Sequence, residues 1–259
     1  MTLPALFLSH GSPMTAIEPS DAHDFLSRFG AGFARPRAIL AVSAHWETDA
    51  PMVSAARKHE TIHDFYGFPP ELYAIQYPAP GAPDLAARTK ALLDGAGIPC
   101  GVDPDRGLDH GAWTPLYLAY PDADIPVTQL SVQPRAGTTH HLAVGRALRP
   151  LRDEGVLIMA TGSVTHNLGD FGRFPPDGPP ADYVRDFTEW LAAALDGRRD
   201  DDLLAYRERA PGARRAHPTE EHFLPLFVAL GAGGDGAPVR RLHSSYHYAM
   251  LAMDGYAFA

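Results

Sequence analysis

Three histidines fall just after short apolar runs. His10 lies in Ser9-His10-Gly11-Ser12-Pro13 after Ala5 to Leu8, His45 lies in Ser43-Ala44-His45-Trp46 after Ala38 to Val42, and His166 lies in Val164-Thr165-His166-Asn167 after Val156 to Ala160. Apolar runs of this length, bounded by turn residues, read as buried strands. In a parallel α/β sheet the carboxyl ends of the strands open onto one edge, where ligands bind. The three imidazoles therefore converge there on a shared metal or catalytic site. Any one of them alone reads as an ordinary loop histidine, so the inference rests on their joint placement. Imidazole is the commonest metal ligand and titrates near neutral pH, which leaves metal and acid/base chemistry both open.

Further groups can join them. In His217-Pro218-Thr219-Glu220-Glu221-His222-Phe223, Pro218 and Thr219 read as a helix start that puts Glu220, Glu221 and His222 in its first turn. Carboxylates suit that position through the helix dipole, so plain capping is the simpler reading of the two glutamates. Neighbours in a helical turn point about 100° apart, so Glu221 and His222 would face different directions there. His110, in Leu108-Asp109-His110-Gly111-Ala112-Trp113, sits in what reads as a shaped turn. His63 lies in a loop with Phe65 and Tyr66 and can reach the same cleft. His140, His141, His243 and His247 read as structural or exposed.

The elements that must position these groups alternate. Strands are expected at Ala5 to Leu8, Ala38 to Val42, Val127 to Val132 and Val156 to Ala160, and helices at Asp21 to Phe33, Asp84 to Ala96, His140 to Arg152 and about Ala181 to Leu195. Such an order predicts an α/β fold, one domain over residues 1–259 with a largely parallel or mixed central sheet flanked by helices on both faces. The segment from Glu47 to Pro83 reads as one long loop. It is too aromatic for a linker, and ordered loops of that length usually wall a site. Phe171 to Pro180 reads as a second irregular stretch.

Composition narrows the function classes. At 259 residues, 45% hydrophobic and 20% charged, the chain can bury one large core. A net charge of -9, with no sustained basic run, argues against a nucleic-acid partner. Cys100 is the single cysteine, which excludes an intrachain disulfide and points to a reducing, cytoplasmic setting. The apolar stretch Leu3 to Leu8 is too short for a membrane span, contains Pro4 and lacks a basic leader. Nothing in the sequence speaks to oligomeric state.

Eight strings together carry a resemblance: Leu6 to Pro13, Ser43 to Trp46, His63 to Pro69, Tyr77 to Gly81, Asp109 to Trp113, Tyr120 to Leu130, Thr161 to Leu168 and Pro218 to Leu226. In this order the chain resembles the DOPA 4,5-dioxygenase-type branch of the class III extradiol ring-cleaving dioxygenases. The resemblance implies a small catechol and O2 as reactants, with oxygen inserted beside the two hydroxyls. It implies His10 and His45 as metal ligands, a further ligand from Glu221 or His222, and His110 and His166 facing the substrate, with His166 alternatively on the metal. His63, Phe65 and Tyr66 are the candidate substrate-binding residues.

The broader class uses two histidines and a glutamate on Fe(II), a facial set that leaves positions for both reactants. This branch also resembles a site able to take Zn(II) through His10, His45, His166 and His222. Zinc has no accessible redox change, so iron is the expected cofactor for activity. The competing readings are a zinc-dependent hydrolase and a non-catalytic metal-binding protein on the same scaffold.

Overall fold

The computed structural model describes residues 2–176 and 178–259. Among the described residues ten strands form: β1 (Ala5–Ser9), β2 (Ala38–Glu47), β3 (Met52–Ser54), β4 (Gly101–Asp103), β5 (Val127–Val132), β6 (Val156–Gly162), β7 (Val239–His243), β8 (Tyr246–His247), β9 (Leu251–Ala252) and β10 (Gly255–Phe258). Eight of them make one mixed sheet in the order β4-β3-β5-β2-β6-β1-β10-β7, while β8 and β9 pair separately. At its centre β5, β2, β6 and β1 run parallel, and antiparallel pairs flank them.

The central strands are buried on both faces, which is why they read as continuous apolar runs. Alternate residues nevertheless sort between two cores, because side chains along a strand point to opposite faces. Phe7, Leu40, Val42, Ile158 and Ala160 join one core, which takes in residues of helices Pro83–Gly95, Gly137–Leu148, Asp182–Asp196 and Leu224–Gly233. Leu6, Leu8, Ile39, Ala41, Leu157 and Met159 join the other, with residues of helices Asp21–Phe29 and His110–Ala119. Helix Leu224–Gly233 is buried along its whole length, in keeping with its nearly uniform apolar sequence.

The strand ends lie level. Ser9 pairs with Gly162 and Ser43 with Thr161, so the chain leaves β1, β2 and β6 at one edge. β2 departs from its pairing with β5 between Val42 and Glu47. Irregularities of this kind re-aim side chains, and here the departure carries His45 on the end of the strand itself.

Several expectations are corrected. The turn expected at His110 is the start of a helix, His110–Ala119, capped by Asp109, whose side chain accepts from the Ala112 amide. Gly111 and Pro115 are poor helix formers and disguise it. The helix expected from Pro218 begins at Leu224. Pro225 is the reason: it fits the first turn, but deeper inside a helix its ring would strike the carbonyl four residues back. His222 therefore lies in a turn before the helix. The loop from Glu47 to Pro83 contains β3 and a short helix, Pro70–Ala74. The strands after residue 238 were not expected, because β7 exposes two arginines and the others are very short.

Candidate metal centre and active site

His10, His45 and His222 meet at the carboxyl edge of the sheet, with one ring nitrogen from each within 4.8 Å of the others. Main-chain bonds hold this convergence: the His10 amide donates to the Gly162 carbonyl at 3.0 Å, and the Ser163 amide donates to the His222 carbonyl at 2.9 Å. Gly162 permits it, since a Cβ there would lie 2.1 Å from the His222 carbonyl oxygen. Gly111 has the same role on the other side, where a Cβ would stand 2.8 Å from the His45 ring.

The hydrogen bonds fix the tautomer of each ring. His10 Nδ1 faces the Gly11 carbonyl at 2.9 Å, His45 Nδ1 faces Asp64 Oδ2 at 3.1 Å, and His222 Nδ1 faces Glu221 Oε1 at 2.9 Å. A carbonyl or a carboxylate can only accept, so each Nδ1 carries a proton and donates it. In the neutral form of each ring, Nε2 is then a lone pair. His45 Nε2 and His222 Nε2 confront each other at 3.3 Å, and His10 Nε2 is buried without a hydrogen-bond partner. Three convergent lone pairs with no proton between them repel one another unless a cation joins them. Metal-binding histidines carry this arrangement, the distal N–H held by a carboxylate or carbonyl.

The electrostatics agree. Burial, followed by repulsion from His45 and His110, pushes the pKa of His10 well down, and burial, followed by repulsion from His166, His45 and His10, does the same to His222. Both rings are neutral at pH 7. Burial also opposes charge on His45, but the Asp64 hydrogen bond and the fields of Asp109, Asp64 and Glu221 outweigh it and raise its pKa. The surrounding carboxylates supply negative charge that suits a dication.

His110 belongs to the same cluster, its ring centroid 4.0 Å from that of His45 and 5.2 Å from that of His10. Its Nδ1 donates to Asp64 Oδ1 at 2.9 Å, so its Nε2 is also a lone pair. Burial, then repulsion from His45, lowers its pKa. Beneath it Asp109, fully buried, accepts from Ser43 Oγ at 2.6 Å, from Arg106 Nη2 at 3.0 Å and from the Gln129 amide. Arg106 in turn covers the Trp46 ring.

The remaining candidates sort by distance from this centre. His166 stacks flat on His222, with centroids 3.5 Å apart, and groups with Glu221 and His222 rather than with His10 and His45. Burial, then repulsion from His217, His45 and His110, pushes its pKa down to about 3. Glu221 accepts from His222 Nδ1 and from Thr219 Oγ1, so it faces the side of the ring away from the convergent nitrogens. Phe65 meets His110 edge to face at 5.6 Å. His63 donates Nε2 to the Ile75 carbonyl at 3.1 Å and packs among Phe65, Tyr73 and Trp113, one layer behind. Tyr66 is 92% exposed and stands outside the cluster. The sequence reading missed Asp64, which bonds both His45 and His110. Its signal was its place beside His63 in the aromatic segment.

Residues 4–259 match the family described as the catalytic LigB subunit of aromatic ring-opening dioxygenase. The chain belongs to this family. It is 45% identical to a 4,5-DOPA dioxygenase extradiol of Beta vulgaris over 97% of this chain and 95% of that protein. It is 42% identical to the protein of the same name from Escherichia coli K12, over 92% of this chain and 88% of that one. A crystal structure of an uncharacterized Escherichia coli K12 protein superposes with a TM-score of 0.83 at 35% identity, covering 99% of this chain and 100% of that one. LigB-type dioxygenases open aromatic rings at a metal, and this chain is an extradiol dioxygenase acting on a small aromatic substrate with O2. No helix among the described residues is long and apolar enough to cross a membrane.

Proposed function

We propose that the chain cleaves a small DOPA-like catechol in the 4,5-sense, with His10, His45 and His222 holding ferrous iron. The convergence of three Nε2 lone pairs, each with its Nδ1–H tied down, carries this reading. When bound, ferrous iron supplies open coordination positions and a redox change that zinc lacks. Relatives named 4,5-DOPA dioxygenase extradiol support the catechol class.

The chain's own groups supply the proton handling. His110 Nε2 carries a lone pair, is buried and lies beside the proposed ligands, so it takes a hydroxyl proton from the catechol and later returns it as a general acid. Asp64 stabilises the imidazolium formed in between, as a carboxylate behind a catalytic histidine does. His166 is half-buried and neutral at working pH, which suits a second hydrogen-bonding contact to the substrate. Phe65 offers its ring to the aromatic substrate and excludes water from His110. Loss of aromaticity, with oxygen inserted beside the hydroxyls, gives a muconic semialdehyde. A requirement for reduced iron and the single buried thiol of Cys100 suit a cytoplasmic location.

The test is metal-free protein loaded anaerobically with Fe(II) and presented with a panel of catechols, following oxygen consumption and the yellow ring-fission product. Turnover of DOPA or an alkyl catechol in proportion to iron is the expected result. Full activity with stoichiometric zinc and iron excluded would overturn the ferrous reading. Ester or amide cleavage without oxygen would favour a zinc hydrolase on the same histidines.

A further inference from the structure

We infer that Asp64 is a positioning residue that sets two histidines into different tasks with one carboxylate: it makes His45 a ligand through Nε2 and His110 a base through Nε2. The inference rests on the reading of the metal centre above and adds to it the residue on which both roles depend. Asp64 Oδ2 accepts from His45 Nδ1 at 3.1 Å, while Oδ1 accepts from both the His110 amide and His110 Nδ1 at 2.9 Å. Its side chain is 24% exposed, so the contacts lie mostly out of water. The His110 amide can only donate, so Oδ1 is an acceptor by geometry, and Oδ2 stands opposite a ring nitrogen of His45. It therefore presents acceptors alone to both rings.

Asp64 also sits next to Phe65, the ring against His110. One residue thus ties the aromatic segment to the strand end bearing His45 and to the helix starting at His110. Bonds from a carboxylate to the far side of a ligating histidine raise its basicity and typically govern metal affinity by roughly 10- to 100-fold.

An asparagine at this position separates the role from mere packing, because it offers one acceptor and one donor group. The His110 amide can only donate, so the amide oxygen of Asp64→Asn must face His110 and satisfy both of its N–H groups. The NH2 then faces His45 and donates to Nδ1, which forces the His45 proton onto Nε2. That proton lies between His45 and His222, where the lone pairs converge. Asp64→Asn should consequently flip the tautomer of His45 and spare that of His110.

Two measurements test this without reference to turnover. In metal-free wild-type protein, at a pH high enough that both rings are neutral, 15N NMR of the imidazoles should show His45 and His110 both protonated at Nδ1; either ring protonated at Nε2 instead would overturn the inference whether or not any variant folds. In Asp64→Asn the spectrum should show His45 alone switched to Nε2–H, and affinity for Zn(II), measured by chelator competition, should fall roughly 10- to 100-fold. Asp64→Ala should recover part of its zinc affinity when formate is added, and Asp64→Asn should not. A residue that only packs the loop would lower the melting temperature of both variants while leaving zinc affinity and both tautomers at wild type, and that result would also overturn it. Because zinc binding and tautomers are read directly, absence of catechol turnover in wild type would count against the proposed function and not against Asp64.

Discussion

Two groups of buried histidines share this molecule and differ in which ring nitrogen is bonded. His59, His141 and His217 are as enclosed as the histidines of the candidate metal centre, and burial lowers the pKa of all three, His141 and His217 to about 4. Their Nε2 atoms are occupied by main chain: His59 on the Val127 carbonyl, His217 on the Val164 carbonyl, and His141 on the Gln133 amide. His217 is further enclosed by Phe187, Tyr206 and Phe223. At the sheet edge the backbone and carboxylates take Nδ1 instead, and Nε2 is left for something else. Burial is therefore common to both groups, and the direction of the free lone pair separates them.

The comparison breaks most visibly at the proposed ligands. His45→Ala should abolish stoichiometric metal binding and reduce activity to background, whereas His217→Ala should bind a full equivalent of metal, both read by metal analysis of folded protein. Next comes His110, close to the centre yet outside the ligand set. His110→Ala should retain its metal while single-turnover rate falls roughly 10²- to 10⁴-fold, the usual loss for a positioned acid/base group. Unchanged turnover per metal would remove His110 from the mechanism. Glu221→Gln should weaken metal binding by roughly 10- to 100-fold without removing the site, as expected for a group that only orients His222. The smallest effect belongs to the interior group: losing the His217 bond leaves the Val164 carbonyl unsatisfied, at about 1–3 kcal/mol of stability with metal affinity unmoved. Chemical denaturation and zinc titration of His217→Ala check both halves of that statement.

Much of this was legible because parallel sheets bring strand ends to one edge. The apolar runs located β1, β2, β5 and β6, and the histidines after three of them marked where the site would form. Each of those signals is local in sequence. What escaped detection depends on distant partners. Helix His110–Ala119 contains Gly111 and Pro115, and its start is decided by a cap at Asp109 that the Ser43, Arg106 and Gln129 side chains hold in place. Asp64 is an ordinary loop acid until folding sets it between two imidazoles. The hydrogen bond between the adjacent Glu221 and His222 is likewise something a helical wheel does not describe. Tyr66, attractive as an aromatic in the right segment, points into solvent.

The central claim is that three Nε2 atoms form the metal site, and the most direct measurement is a crystal structure of the protein loaded anaerobically with Fe(II). The account predicts iron bonded to Nε2 of His10, His45 and His222 at ordinary metal–imidazole distances of roughly 2.0–2.1 Å, with Asp64 and Glu221 remaining on the far sides of their rings. Iron held instead by Asp64 with His110, or by Glu221 with His166, and not bonded to His10 would contradict it.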